Sequence, residues 1–136
     1  MDHSIEQITY QLTWPIRHKV MWPDKSIDYI KLQNDEDGIH FAVWKNKEIV
    51  AVVSVFINKN KAQFRKLATL QNEQGNGYGS ALINHIIAHL KHEKVNTLWC
   101  NARVDKTSFY KKFGLYETNE KFSRGQQEYI IMEMKL

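Results

Sequence analysis

Three glycines alternate with Asn76 and Tyr78 in the stretch Gln74-Gly75-Asn76-Gly77-Tyr78-Gly79. That density lets the backbone take positive φ angles and approach a ligand with no Cβ in the way, which suits a phosphate or pyrophosphate. Spacing narrows the choice of loop. A Walker loop carries Lys and then Ser or Thr after its last glycine, whereas Gly79 is followed by Ser80 and Ala81, so the lysine for the β- and γ-phosphates is missing. The dinucleotide fingerprint requires G-x-G-x-x-G after the first strand of a parallel unit, but here Gly-x-Gly-x-Gly follows strand-like segments joined by short polar turns. What remains is Gln74-x-x-Gly77-x-Gly79, directly ahead of a strongly periodic apolar run.

Other reactive side chains are weaker candidates. His85, His89 and His92 fall at i, i+4 and i+7, a spacing that can present imidazoles to a metal, but the glutamate of H-E-x-x-H is absent and no partner ligand is evident. A solvated helix face is the expectation, and no metal is expected. Cys100 lies between Trp99 and Asn101 in a strand-like run, so an inert buried thiol is expected there and not a nucleophile. Tyr110, within Phe109-Tyr110-Lys111-Lys112-Phe113, can simply pack between its aromatic neighbours.

The loop needs elements to position it. A first strand is read loosely over 5–12, and Thr13 is read as the cap of a short helix with Pro15 in its first turn, ending before Pro23. Residues 26–38 are polar and ambiguous. Runs at 39–44, 49–57 and 62–70 are β-branched and aromatic, joined by polar turns, and read as an antiparallel meander. Leu82, Ile83, Ile86, Ile87 and Leu90 recur at helical spacing after the glycine loop. A strand over 97–102, a helix over 107–113 stopped by Gly114, and strands over 117–122 and 128–134 complete the pattern. This order implies a mixed α/β sheet whose central helix crosses between two parallel strands, with the glycine loop where the strand's carboxyl end meets the helix's amino end.

Whole-chain properties agree. A length of 136 residues, 43% of them apolar, supports one substantial core, so a single domain over 1–136 is expected. The net charge of +4 is spread from Arg17 to Lys135, and no run interleaves aromatics with Arg or Lys as a nucleic-acid platform would. The single Cys excludes an internal disulfide framework. Met1-Asp2-His3-Ser4 opens no apolar core of signal-peptide length, and the apolar run 49–57 is too short to span a bilayer, so a cytoplasmic location is expected.

With the loop, the amphipathic helix and Phe109-Tyr110-Lys111-Lys112-Phe113-Gly114-Leu115 in this order, the chain resembles the GCN5-related N-acetyltransferase superfamily over residues 39–134. Its motif there is Gln or Arg, two residues, Gly, one residue, then Gly or Ala. Phe64-Arg65-Lys66-Leu67-Ala68-Thr69 looks like the family's fourth strand and Trp99-Cys100-Asn101-Ala102 like its fifth. The resemblance implies acetyl-CoA as acyl donor, its pantetheine arm in a splayed opening between those strands and paired with main chain at Leu67, Ala68 and Thr69. It further implies a pyrophosphate held by Gln74, Gly75, Asn76, Gly77, Tyr78, Gly79 and Ser80, a contact from Asn101, and Tyr110 as the general acid for the departing thiolate. The acceptor is then a small-molecule or peptide amine, with Arg17 and His18 on the first helix, and Arg65 on the fourth strand, as candidate contacts.

The family's usual glutamate base on the fourth strand is replaced here by Arg65 and Lys66. The base stays unassigned among Glu73, Asp105, His18 and water. That departure keeps a noncatalytic acyl-CoA sensor open as an alternative, and a small nucleic-acid-binding domain is the second rival. A homodimer is also left open; no nucleic-acid or membrane partner is expected.

Overall fold

The computed structural model describes residues 3–136. Its frame is a seven-stranded sheet in the order β1-β2-β3-β4-β5-β7-β6. The strands are β1 (His3–Ile8), β2 (Ile39–Lys45), β3 (Glu48–Asn58), β4 (Lys61–Thr69), β5 (Thr97–Arg103), β6 (Tyr116–Arg124) and β7 (Gln127–Lys135). All neighbouring pairs are antiparallel except β4 with β5. A parallel pair needs a crossover, and α2 (Tyr78–His92) provides it.

Alternation along the strands divides the sheet into two faces. Phe41, Val53, Phe64, Leu98, Cys100 and Met132 point to one face and meet Leu82, Ile83, Ile86 and Leu90 of α2. Those four α2 side chains are wholly buried, each worth roughly 1.5–3 kcal/mol relative to exposure, which fixes the helix on the sheet. On the opposite face Ile16 of α1 (Trp14–Met21) covers Ala42, Val52 and Ala68. A short α3 (Thr107–Lys111) follows β5, and the chain turns at Gly114 with φ +103°. Among the described residues no helix is long and apolar enough to cross a membrane.

The structure departs from expectation in two places and settles the segment left ambiguous. The first strand covers His3–Ile8, and Tyr10–Thr13 form a 3-10 turn that runs directly into α1. Thr13 therefore does not cap the helix: it is itself helical, and its hydroxyl donates to the Tyr10 carbonyl at 2.7 Å. Within the ambiguous segment 26–38, Ile27–Ile30 and Asp35–Asp37 form two further 3-10 turns. Finally, His85 and His89 are not simply solvated but pack edge-on against Phe41, with ring centroids 4.8 and 5.3 Å away. Burial and the nearby His89 hold the His85 imidazole below its ordinary pKa. No group of three or more His, Cys, Asp or Glu residues able to hold a metal occurs among the described residues.

Candidate active site

The parallel pair parts almost as soon as it forms. β4 and β5 are in register only at Lys61, Ala62 and Gln63 against Thr97, Leu98 and Trp99. Beyond Gln63, β4 keeps its partner β3 while β5 keeps β7 out to Arg103, so a wedge opens between them. Phe64 to Thr69 then form a free strand edge roughly 20 Å long, whose main-chain donors and acceptors are available to an added extended group. β4 also carries a bulge there: Ser54 faces Arg65 and Val52 faces Ala68, which leaves Lys66 and Leu67 opposite one residue of β3. Lys66 takes the left-handed conformation, φ +58°, that this extra residue demands. The bulge turns Leu67 toward the α2 face and Ala68 toward the α1 face.

The glycine loop stands at the mouth of the wedge. Gly75 and Gly77 have φ of +86° and +83°, and a Cβ on either would meet nothing within 4 Å, so open space lies before the loop. Gly77 is the N-cap of α2 and has no side chain to satisfy the first-turn amides of Tyr78, Gly79 and Ser80, which stay available at the positive end of the helix dipole. A Cβ on Gly79 would lie 3.9 Å from both Leu67 and Phe109, so loop, β4 and α3 converge at this point. Gln74 donates its amide to the Thr69 carbonyl at 3.2 Å, tying the loop to the end of β4. The Tyr78 ring itself is buried and packs edge-on against His3, leaving only its main chain toward the loop.

A clamp not visible in the sequence steadies the loop from behind. Lys45 Nζ of β2 lies 2.9 Å from Glu73 Oε1, while Asn76 Nδ2 donates to the Glu73 carbonyl at 3.1 Å. Lys45 and Glu73 are 28 positions apart, and nothing short of the folded sheet brings them together. Glu73, one of the candidate bases, is thus held by Lys45, and Asp105 sits exposed in the turn after β5.

Tyr110 lies on the same side as Phe64 of β4, ring centroids 5.6 Å apart, and leans on Phe109 at 5.1 Å. Burial, with a smaller push from Cys100 and a counteracting pull from Arg103, raises its phenol to about 12. The hydroxyl therefore keeps its proton across any practical pH. Cys100 is buried, and desolvation lifts its thiol to about 12 as well, so it is no nucleophile.

The candidate acceptor contacts separate sharply. Arg17 is wholly buried: Nη1 and Nη2 both donate to the Asp35 carboxylate at 2.8 Å, and Nη2 also donates to Ser54 Oγ at 2.8 Å. This corrects the expectation that Arg17 meets a substrate, because its charge is consumed inside the fold. His18 rests with Nε2 2.6 Å from the Lys25 carbonyl, which locks the turn that follows α1. Arg65 is half-buried on the face of α1, opposite Ser54, and Asn101 is exposed on β5 opposite Ile131.

His40 completes the buried network beside Arg17. Its Nε2 is 2.9 Å from the Asp35 carbonyl, which can only accept, so that nitrogen carries the proton. Nδ1, 2.7 Å from Ser54 Oγ, is then the acceptor of the Ser54 hydroxyl. Burial keeps this imidazole below its ordinary pKa against the opposing pull of Asp35.

Residues 6–115 match the model of the Acetyltransferase (GNAT) family. The chain belongs to the GNAT acetyltransferase family. It is 28% identical over 139 residues to the uncharacterized N-acetyltransferase YitI of Bacillus subtilis (strain 168), covering 95% of this chain and 93% of that one. It is 26% identical over 123 residues to the ribosomal protein bS18 alanine N-acetyltransferase of Haemophilus influenzae, covering 85% and 82% of the two chains. The fold matches that of a GNAT acetyltransferase of Elizabethkingia anophelis crystallised with acetyl-CoA, with a TM-score of 0.78, 16% identity and 99% of each chain covered.

A GNAT protein with this sheet is an acyltransferase that takes its acyl group from acetyl-CoA. The site fits that donor on its own geometry. The wedge leaves an unpaired β4 edge, open space lies before Gly75 and Gly77, and the first-turn amides of α2 have no side-chain cap.

Proposed function

We propose that the chain acts as one N-acetyltransferase domain that transfers acetyl directly from acetyl-CoA to a primary amine of a small molecule or peptide, with Tyr110 as general acid. The observation that carries this is the wedge between β4 and β5, with the glycine loop at its mouth and Tyr110 beside it. Acetyl-CoA supplies a thioester whose acyl carbon an amine attacks, with sulfur as the leaving group.

Each residue has a part in this reading. Main-chain groups of Leu67, Ala68 and Thr69 pair with the pantetheine arm as a further strand would, and one amide of this edge polarises the acyl oxygen. Gln74 and the amides of Gly75, Asn76, Gly77, Tyr78, Gly79 and Ser80 hold the pyrophosphate at the start of α2. Asn101 reaches the opening from β5. Tyr110 holds a proton at Oη for the sulfur that leaves; burial that lifts the phenol to about 12 keeps it protonated in the resting site and makes it a weaker acid than a free tyrosine. No carboxylate lies on β4, so the acceptor amine loses its proton to a group outside that strand, Asp105 or water.

The acceptor class is supported by the relative named as acting on an alanine of ribosomal protein bS18. Screening primary amines for thiol release from acetyl-CoA tests the reading. Release with at least one amine, and an N-acetyl product by mass, is expected. Tight binding of acetyl-CoA with no release for any amine class would instead mark an acyl-CoA-binding module.

A further inference from the structure

Toward the open end of the wedge, cations come from two separate parts of the chain: strand register puts Arg124 at that end, close enough to Arg65 and Lys66 to repel both. Arg65 and Lys66 come from the β4 bulge, and Arg124 ends β6 at the tight turn to β7, where Gly125 takes φ +63°. Arg124 is carried on an aromatic base: its guanidinium lies 5.7 Å from the centre of Phe122, which stacks on Tyr129 at 5.3 Å. Arg65 and Lys66 are half-buried, and neither they nor Arg124 forms an ion pair with a carboxylate among the described residues. The carboxylate they sense, Asp35, is already held by both Nη atoms of Arg17. Burial, with repulsion from neighbouring cations, depresses both the Arg65 guanidinium and the Lys66 amine. Desolvated like charges with no internal counter-charge cost stability, and an external anion relieves that cost.

We propose that Arg65, Lys66 and Arg124 form a receptor for an anionic group on the acceptor, a carboxylate or a phosphate, so that the enzyme selects primary amines that carry such a group. The inference rests on the amine-transfer reading above. The two arginines offer planar forks that match either anion, and Lys66 adds a point charge from the bulge. The wedge changes sign at its other end. There Asp37, Glu120 and Glu133 outnumber Lys61 in the lining of a cavity of about 640 Å³ that also includes Trp99 and Ile131, beside the closed end of the wedge at Gln63. Tyr129 and Glu133 are four residues apart on β7, which separates the two ends by roughly 13 Å. The cations, and not the carboxylates, therefore border the open end.

Two measurements test this. In the first, CoA release is followed with matched amines, each with and without the anion: an amino acid against its amide, and a phosphorylated amino alcohol against the free alcohol. The anionic partner should be used at least about tenfold better in kcat/KM, as expected for charge-assisted contacts, and the two pairs identify the preferred anion. Arg65→Gln combined with Arg124→Gln should erase the preference, and Arg65→Lys combined with Arg124→Lys should retain most of it. Preference for neutral or cationic amines, which the acidic cavity would favour, overturns the proposal. The second measurement needs no turnover: inorganic phosphate is titrated into CoA-saturated protein while backbone amide resonances are followed. Shifts at Arg65, Lys66 and Arg124, lost in the glutamine pair, are expected, and their absence overturns the proposal even in an active enzyme. Failure of every amine to release CoA would overturn the transfer reading and leave the phosphate titration to decide this one.

Discussion

Replacing Tyr110 by Phe deletes one oxygen and keeps the ring that contacts Phe64 at 5.6 Å and Phe109 at 5.1 Å. Packing therefore survives, and the loss in stability should stay below about 1 kcal/mol. The chemistry should suffer far more. With the phenol at about 12, only about one hydroxyl in ten thousand is ionised at pH 8, so the wild-type donor is fully charged with its proton throughout an assay. Losing a general acid costs about 10²- to 10⁴-fold, and a thiolate leaves more readily than an alkoxide, which places the expected fall in kcat near the lower end, about 100-fold. Thiol detection of released CoA measures kcat, calorimetry measures acetyl-CoA affinity, and a thermal melt controls for folding. The expected pattern is a fall in kcat with affinity and melting temperature nearly unchanged. A variant with kcat within about twofold of wild type would refute the role of Tyr110, because a general-acid step typically contributes about 10²- to 10⁴-fold.

Further outcomes follow from other residues. Gly77→Val places a β-branched side chain at φ +83°, a left-handed penalty of ~1–2 kcal/mol that should show as lost stability in urea denaturation, and a loop that shifts to escape it should bind acetyl-CoA more weakly by calorimetry. Arg17→Met strands the Asp35 carboxylate in the interior and should cost about 3–5 kcal/mol in urea denaturation, with much of it regained in Arg17→Met combined with Asp35→Leu. Acid should weaken the same network. Burial lowers the His40 pKa from an ordinary 6.5, so its contribution is present above pH 6.5 and fades as pH falls toward the folded value. For Asp35, burial alone would raise the pKa, but hydrogen bonds from Arg17, Leu32 and Trp14 outweigh it and lower the value from 3.8, so stability is lost again as pH falls below about 4. Chemical denaturation at stepped pH should show both losses, and His40→Gln, which keeps one donor and one acceptor, should flatten the upper one.

Much of the frame was legible in the sequence because it rests on local periodicity. Leu82, Ile83, Ile86 and Leu90 mark α2 within a residue or two, and the β-branched runs mark β2, β3 and β4, since alternation and helical spacing are properties of short windows. The glycine loop and the α3 aromatic segment were legible for a similar reason: their residues are contiguous. Arg17 was misread because burial of a charged residue depends on a partner 18 positions away, and an arginine on a short helix beside two prolines looks exposed until Asp35 is seen to meet it. His85 and His89 were misread likewise, because their neighbour Phe41 lies on a different strand. The Lys45–Glu73 clamp, and the repulsion that Arg124 exerts on Arg65 and Lys66, are products of strand order, and no window of sequence contains them. The bulge at Lys66 is a further case, since left-handed backbone at a lysine has no compositional signature.

The central claim is that the free edge of β4 and the first turn of α2 together receive the donor. Amide hydrogen exchange, with and without saturating acetyl-CoA, measures it directly. Added protection is predicted along residues 64–69 and at Gly77, Tyr78, Gly79 and Ser80, with little change in β1 and β2. Unchanged exchange along the β4 edge, or protection confined to the outer strands, would contradict it.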